Sequence, residues 1–574
     1  MISEQSVVSD RKRSAPSLAP LFRFKKVYAA FGLLLVLLFF VLPVFRLLLL
    51  SVLEDGAWSL SHYSGVLREA ATWTAVKNTV YITAGSTVLS LVLGVSLAWV
   101  MAYVHIRGKR WMQLFVFLPF IIPSYITTLA WVQFLGKSGP VSSLFGWTPD
   151  LYSMGGMIFL LGMSHYPLVY LFTIEVFRKI PRELEEAAKT AGAGKMSIFL
   201  KVMLPLALPG IASGGLLAFL SSLDNFGIPA FLGIPANIRV LSTYIYEQVV
   251  GFGPSAFARA AVLSVLLGTI ALLGTFVQWL LLKKSRVTET VMPDREPRIY
   301  VSPLRQRLLE GGIWLFLVVT SFVPFAAMGA LSLIKAYGLP FHLENLSLKN
   351  YQYVFLTDPK TGSALWNSVS LALLATVVCL AAGTALAYIR YRNPGFFTKL
   401  AELCITIPYA LPGTVLALCM IFAWMQPVPG WNPGLYGSIW ILLVAYITRF
   451  FVLQVRGSYT AFLQVDPSME EAARTSGAHA WVRWRRVLLP LIMPGLAGGA
   501  LLVFLMVLTE LTVSSLLWST GTETIGVVIF NYEQAGYTTY STAFATVLVL
   551  AILAGGLLFT AFSSRWERKV MKKQ

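Results

Sequence analysis

A polar stretch, EEAAKTAGAGKMSIFLKVMLPLALP at residues 185–209, returns as EEAARTSGAHAWVRWRRVLLPLIMP at residues 470–494. The copies align without a gap at an offset of 285 in a chain of 574 residues. Shared positions include Glu185/Glu470, Glu186/Glu471, Ala187/Ala472, Ala188/Ala473, Thr190/Thr475, Gly192/Gly477, Leu204/Leu489, Pro205/Pro490 and Pro209/Pro494. The repeat reaches further. Asn78/Asn367, Gly94/Gly383, Ala98/Ala387, Pro119/Pro408 and Pro123/Pro412 keep an offset of 289, and Tyr246-Glu247-Gln248 returns as Tyr532-Glu533-Gln534. A duplication near half the chain length confines the fold to two similar halves.

Each copy lies between long apolar runs. The chain is 57% hydrophobic and 12% charged, with mean hydropathy +0.71, the composition of an integral membrane protein. Roughly 20 apolar residues cross a bilayer. Candidate spans run roughly 27–50, 78–104, 111–134, 154–177, 206–232 and 256–282, then 312–334, 366–389, 401–425, 436–455, 491–518 and 541–563. The expected fold is all-α: twelve transmembrane helices in two halves, 27–283 and 311–564. A cytoplasmic tail at 1–26, with residues 1 to about 20 expected to be disordered, a basic cytoplasmic linker at 284–310 and a cytoplasmic tail at 565–574 complete it. Six spans is an even number, so the halves share one orientation. The repeat is parallel, with a pathway expected at its interface.

The net charge of +19 does not mark nucleic-acid binding, because the basic residues flank the spans rather than forming one patch. With the N-terminus inside, inside segments hold 35 Lys and Arg against 7 in outside loops. That bias predicts a cell-membrane protein with both termini and both repeated loops in the cytoplasm. Cys379, Cys404 and Cys419 lie in apolar segments, and the five histidines are scattered. No disulfide framework, metal site or cofactor is expected. The first apolar run is long enough to span and has no small-residue cleavage site after it, so it reads as a helix rather than a signal peptide.

Within each loop an acid precedes a base by four residues, Glu185/Lys189 and Glu470/Arg474, which predicts helical ion pairs. Ala187, Ala188 and Ala191 favour helix. Gly192 and Gly477 are the expected left-handed stops. Asp466-Pro467 offers an N-cap and a first-turn proline. A second helical piece is expected to end at Leu204-Pro205, before the next span.

Glu-Ala-Ala, three residues, Gly, nine residues, an aliphatic, any residue and Leu-Pro resembles the EAA loop of ABC-importer permeases. It fits Glu186-Ala187-Ala188, Gly192, Val202, Leu204-Pro205, and again Glu471-Ala472-Ala473, Gly477, Val487, Leu489-Pro490. The one departure is Val where Ile is common. Two fused six-span halves look most like the permeases for iron(III) and, secondarily, thiamine. The resemblance implies a transport subunit that is not itself an enzyme. Two copies of a cytoplasmic ATPase would dock on the loops, and an extracytoplasmic binding protein would deliver the substrate. It leaves phosphonate, polyamine and other small solutes open. An ion-coupled secondary transporter is the alternative of another class, but it needs no such loops.

Gly192-Ala-Gly-Lys-Met-Ser197 is no phosphate loop: Lys189 stands where the first glycine belongs and Met196 where Ser or Thr binds magnesium. Pro119, Pro123, Pro408 and Pro412 break or kink their spans, at the pathway or structurally. Asp224-Asn225 and Glu510 lie late in the fifth span of each half, and acids at membrane depth face a bundle interior or cavity. Two readings stand: a hard-cation waypoint along the pathway, or carboxylates that pair with a nearby base or cap a helix break. For Arg46, Glu175, Arg259 and Arg449, snorkelling or structural pairing is expected.

Overall fold

The apolar runs become helices because a backbone in lipid must satisfy its own hydrogen bonds. The computed structural model describes residues 31–54, 57–137, 139–251, 255–283, 294–339, 342–425 and 433–571, with side chains as far as Leu557. The expected tail at 1–26, linker residues 284–293 and the last three residues lie outside them. The first half comprises α1 (Phe31–Ser51), α2 (Ala70–Tyr103), α3 (Lys109–Ile121), α4 (Ser124–Leu135), α5 (Met154–Phe177), α6 (Arg182–Thr190), α7 (Lys195–Asp224), α8 (Leu241–Val250) and α9 (Ala256–Lys283). The second repeats them: α10 (Pro303–Leu331), α11 (Pro359–Arg392), α12 (Phe396–Ala410), α13 (Gly413–Trp424), α14 (Ile439–Leu463), α15 (Pro467–Thr475), α16 (Ala480–Leu508), α17 (Ile525–Gln534) and α18 (Thr538–Met571). Each element has its counterpart nine labels on.

Among the described residues ten helices are long and apolar enough to cross a membrane, or up to twelve if each bent pair counts as one span. The third span of each half, expected at 111–134 and 401–425, is broken as its prolines predict. It is two helices, α3–α4 and α12–α13, bent by 102° and 112°. The bends fall at Ile122-Pro123 and Leu411-Pro412. A residue before proline is driven out of the helical region, and Ile122 and Leu411 are extended at ψ 132° and 142°. Pro119 and Pro408 stay inside α3 and α12.

The fifth spans differ from expectation. Leu204-Pro205 and Leu489-Pro490 do not end a helix; α7 and α16 run through them. A wide π-type turn at Phe199–Met203, and its twin at Trp484–Leu488, comes just before each proline. That locally wider winding leaves room for a ring that donates no hydrogen bond. The helix of the first half stops at Asp224, short of the expected 232, and Asn225 is extended.

The halves interlock. Arm α1 packs on α13 of the other half, and α10 packs on α3 and α4. Phe39 meets Trp424 at 5.6 Å and Phe40 meets Phe451 at 5.5 Å. Tyr125, Ile126 and Leu129 of α4 share an apolar core with Met328, Ile529 and Phe544 of the second half. Each bent span thus lies at the junction between halves.

Candidate functional site

The two loops are built alike. Gly192 and Gly477 have φ of 80° and 83°, the region glycine enters without steric cost. The turn closes identically on both helices. Ala193 N–H donates to Ala188 O at 3.0 Å and Gly192 N–H to Lys189 O at 3.0 Å; Ala478 donates to Ala473 and Gly477 to Arg474, both at 3.1 Å. These are the paired bonds that satisfy a helix's last carbonyls. Asp466 caps α15 by accepting from Ser468 N–H at 2.9 Å, which holds its carboxyl below the usual range. Glu186, Ala187, Glu471 and Ala472 are exposed, and Ala188 and Ala473 are half-buried. Beside them Leu184 and Met196 are exposed in the first loop, matched at the same register by Met469 and Trp481 in the second. Pro205 and Pro490 lie about three turns along α7 and α16.

The expected ion pairs inside these helices do not form, because each first acid turns to a guanidinium brought from elsewhere. Glu185 pairs with Arg298 of the linker. Arg298 Nη2 also donates to Ile180 O at 2.6 Å, and the guanidinium lies 4.8 Å over the Tyr103 ring. The linker forms a strap beneath α6. Asp294 N–H donates to Arg178 O at 2.7 Å, and Arg298 and Ile299 N–H donate to Tyr103 O at 2.8 and 2.9 Å. Arg182 Nε donates to Asp294 at 2.6 Å, and this guanidinium holds the Asp294 carboxyl below its ordinary range. In the second half Glu470 pairs with Arg392, at the end of α11, with Arg483 at 3.7 Å. Arg392 occupies the position that Tyr103 occupies in the first half.

At the far ends of α7 and α16 lie the two acids. Asp224 crosses to the other half: it accepts from Gly413 N–H at the start of α13, beside buried Pro412, and from Arg449 Nη2 at 2.6 Å. Asn225 Oδ1 accepts from Ile228 N–H at 2.9 Å and from Ser124 Oγ at 3.4 Å, next to Pro123. Glu510 stays within its own half and caps the break after α16. It accepts from Val513 N–H at 2.7 Å, Ser514 N–H at 2.9 Å and Ser514 Oγ at 2.7 Å. The two acids therefore do different things at nearly equivalent positions. Each bent span supplies one contact: Gly413 meets Asp224 and Ser124 meets Asn225. Among the described residues no group of three or more His, Cys, Asp or Glu could hold a metal ion.

Arg449 is the residue whose place sequence reasoning did not find. It is buried on α14, where the first half has Ser164. The signal was available: a lone arginine at membrane depth needs a counter-charge, and Asp224 is an acid at that depth. The other singled-out charges also have partners, and only that of Glu175 is close in sequence. Arg259 pairs with Glu69 at 2.6 Å, Arg178 with Glu175 at 3.2 Å, and Arg46 donates to Ala423 O at 3.3 Å.

The family model described as binding-protein-dependent transport system inner membrane component matches twice, at residues 90–284 and 378–572. A probable ABC transporter permease protein, y4fN of Sinorhizobium fredii, is 26% identical over 92% of this chain and 96% of its own length. The ferric transport system permease protein FbpB of Actinobacillus pleuropneumoniae is 23% identical over 92% of this chain and 77% of its own. The molybdenum transport system permease protein ModB of Escherichia coli is 29% identical over 36% of this chain and 93% of its own. A crystal structure of a bacterial ABC transporter involved in import of alginate covers 47% of this chain at 18% identity and a TM-score of 0.40.

Proposed function

Because the chain belongs to the binding-protein-dependent transport inner membrane component family, we propose that it is the fused permease of an iron(III) importer, driven by two ATPase subunits docked on α6 and α15. An extracytoplasmic binding protein delivers the cargo, and the face that carries the loops and both termini is cytoplasmic. The ferric permease supports the cargo because it aligns with both halves, whereas the molybdenum permease aligns with a stretch the size of one.

One observation carries the coupling. In each half the loop and the pathway acid sit at opposite ends of one continuous helix. α7 runs 30 residues from the turn after Gly192 to Asp224, about 45 Å at 1.5 Å per residue. α16 runs from the turn after Gly477 to the break that Glu510 caps. A push on a loop is delivered along a rigid rod to the crossing between halves, which is the contiguous element that coupling requires. The exposed alanines allow close approach by a partner, and the matched apolar pairs Leu184/Met469 and Met196/Trp481 give it the same hydrophobic grip on both loops.

The test is uptake in cells that lack the chain and in cells where it is restored. Iron(III), thiamine, molybdate and putrescine would be offered separately as labelled cargo. Only iron(III) uptake is expected to depend on the chain. Dependence of another solute in its place would reject the cargo and leave the importer reading standing.

A further inference from the structure

We propose that Arg449 and the N-terminus of α13 form an oxyanion site in the pathway. In this conformation the Asp224 carboxylate fills it, and an anionic group of the cargo takes it when Asp224 withdraws. The inference rests on the pathway reading above and adds the chemistry that the pathway recognises.

The site is built from the second half alone. α13 is 12 residues long, and its first N–H groups have no partner within the helix. Pro412 contributes none, so Gly413 N–H is the first donor. Such an end attracts anions through its free N–H groups and its dipole. Arg449 lies directly on it: a Cβ built on Gly413 would meet Arg449 Nη1 at 2.0 Å. Only a glycine lets the guanidinium approach that closely. Arg449 is 8% exposed, and its Nη1 is buried without a hydrogen-bond partner. Thr414 Oγ1, on the same first turn, is likewise buried without one. Donors therefore remain beyond those that Asp224 uses.

The present occupant comes from the other half. The Asp224 side chain is 34% exposed over a guanidinium that is 9% exposed, so the carboxylate covers the cation like a stopper. Any opening that parts the end of α7 from α13 and α14 removes it. A buried arginine stripped of its partner is strongly disfavoured, and a replacement oxyanion removes that penalty. The guanidinium fork matches the oxygens of carboxylates and of tetrahedral oxyanions. The first half has Ser164 in place of Arg449, so the pathway holds this site once. A free oxyanion and the oxygen shell of a chelated hard metal ion present the same chemistry.

The test uses the purified full-length chain, titrated calorimetrically at constant ionic strength with molybdate, with citrate and with ferric citrate. The parent chain should bind weakly because Asp224 competes. Asp224→Asn removes the competing charge and should tighten binding by about tenfold or more. Adding Arg449→Gln should abolish that gain. A gain with molybdate and citrate identifies a reader of free oxyanions; a gain confined to ferric citrate identifies a reader of the metal's shell. No gain for any probe in a folded Asp224→Asn chain overturns the proposal. So does a gain that survives Arg449→Gln. If Asp224→Asn does not fold, amide exchange of the parent chain at 413–416 decides: a change with excess molybdate relative to chloride supports the site, and no change overturns it. No ATPase enters this measurement, so its failure leaves the importer reading untouched.

Discussion

Loops α6 and α15 close on their glycines with the same two hydrogen bonds, yet the arginines that hold Glu185 and Glu470 reach them by different routes. Arg392 is local to its own half, at the end of α11. Arg298 arrives on the linker and lies over Tyr103, the residue that took Arg392's position in the first half. The arginine is 38% exposed in the second pair and 6% in the first. A guanidinium at the first acid is therefore a requirement that this fold meets twice by separate means. Only the first solution ties a loop to the segment that joins the halves.

Breaking each tether should separate them most clearly. Arg298→Ala leaves buried Glu185 without its cation and Asp294 with Arg182 alone, a change that costs about 3–5 kcal/mol. Amide exchange should accelerate across α6 and 294–301 and leave α15 unaltered. Arg392→Ala removes a partly exposed pair worth about 0–1 kcal/mol, so exchange in α15 should change little. Equal responses of the two loops would show that the strap contributes nothing.

Next in size are the glycines, where the loops should behave alike. Gly192→Val and Gly477→Val each force a β-branched residue to positive φ, at roughly 1–2 kcal/mol. Neither glycine has a neighbouring atom within reach of a Cβ, so the cost is purely conformational. Melting of the two variants should shift by the same amount, and a clear inequality would mean that the strap also bears on the turn.

Acid gives a smaller, graded contrast. The Asp294 carboxyl titrates below its ordinary value of 3.8 because Arg182 holds it. Its contribution is complete above that value and is lost as the pH falls through the lowered one. Exchange protection in 294–301, taken relative to the intrinsic rate at each pH, should therefore hold steady down to about pH 4 and fall only below it. Loss of strap protection already near neutral pH would exclude Asp294 as its anchor.

The smallest effect on stability, and the most telling for function, belongs to the exposed acids. Glu186→Lys and Glu471→Lys touch no buried partner and should move stability by no more than about 0.5 kcal/mol. If the loops are the docking sites, each should reduce copurification of the ATPase and halt uptake. Normal assembly and transport in both variants would refute that role.

What the sequence made legible was local or periodic. The duplication, the glycine turns, the Asp466 cap and the proline bends all follow from neighbouring residues. The partners of Glu185 and Glu470 did not, because local spacing favoured Lys189 and Arg474 while the real partners lie 113 and 78 residues away in the chain. The reach of Asp224 to Arg449, 225 residues on, is set by how the halves interlock, which periodicity does not encode. The run of α7 through Leu204-Pro205 was hidden for another reason: a π-type turn can absorb a proline that would end a regular helix.

The interlocked arms carry a consequence for biosynthesis. Arm α1 leaves the ribosome first, but its principal partner α13 begins about 360 residues after α1 ends. At 5–20 residues per second, that is a delay of roughly 20–70 s. Throughout it, one flank of α1 faces lipid or whatever insertion factor shelters it, and Arg46 has yet to meet the Ala423 carbonyl. A nascent first half is thus an unfinished object, and its final seat is made only when the second copy of its own bent span enters the membrane.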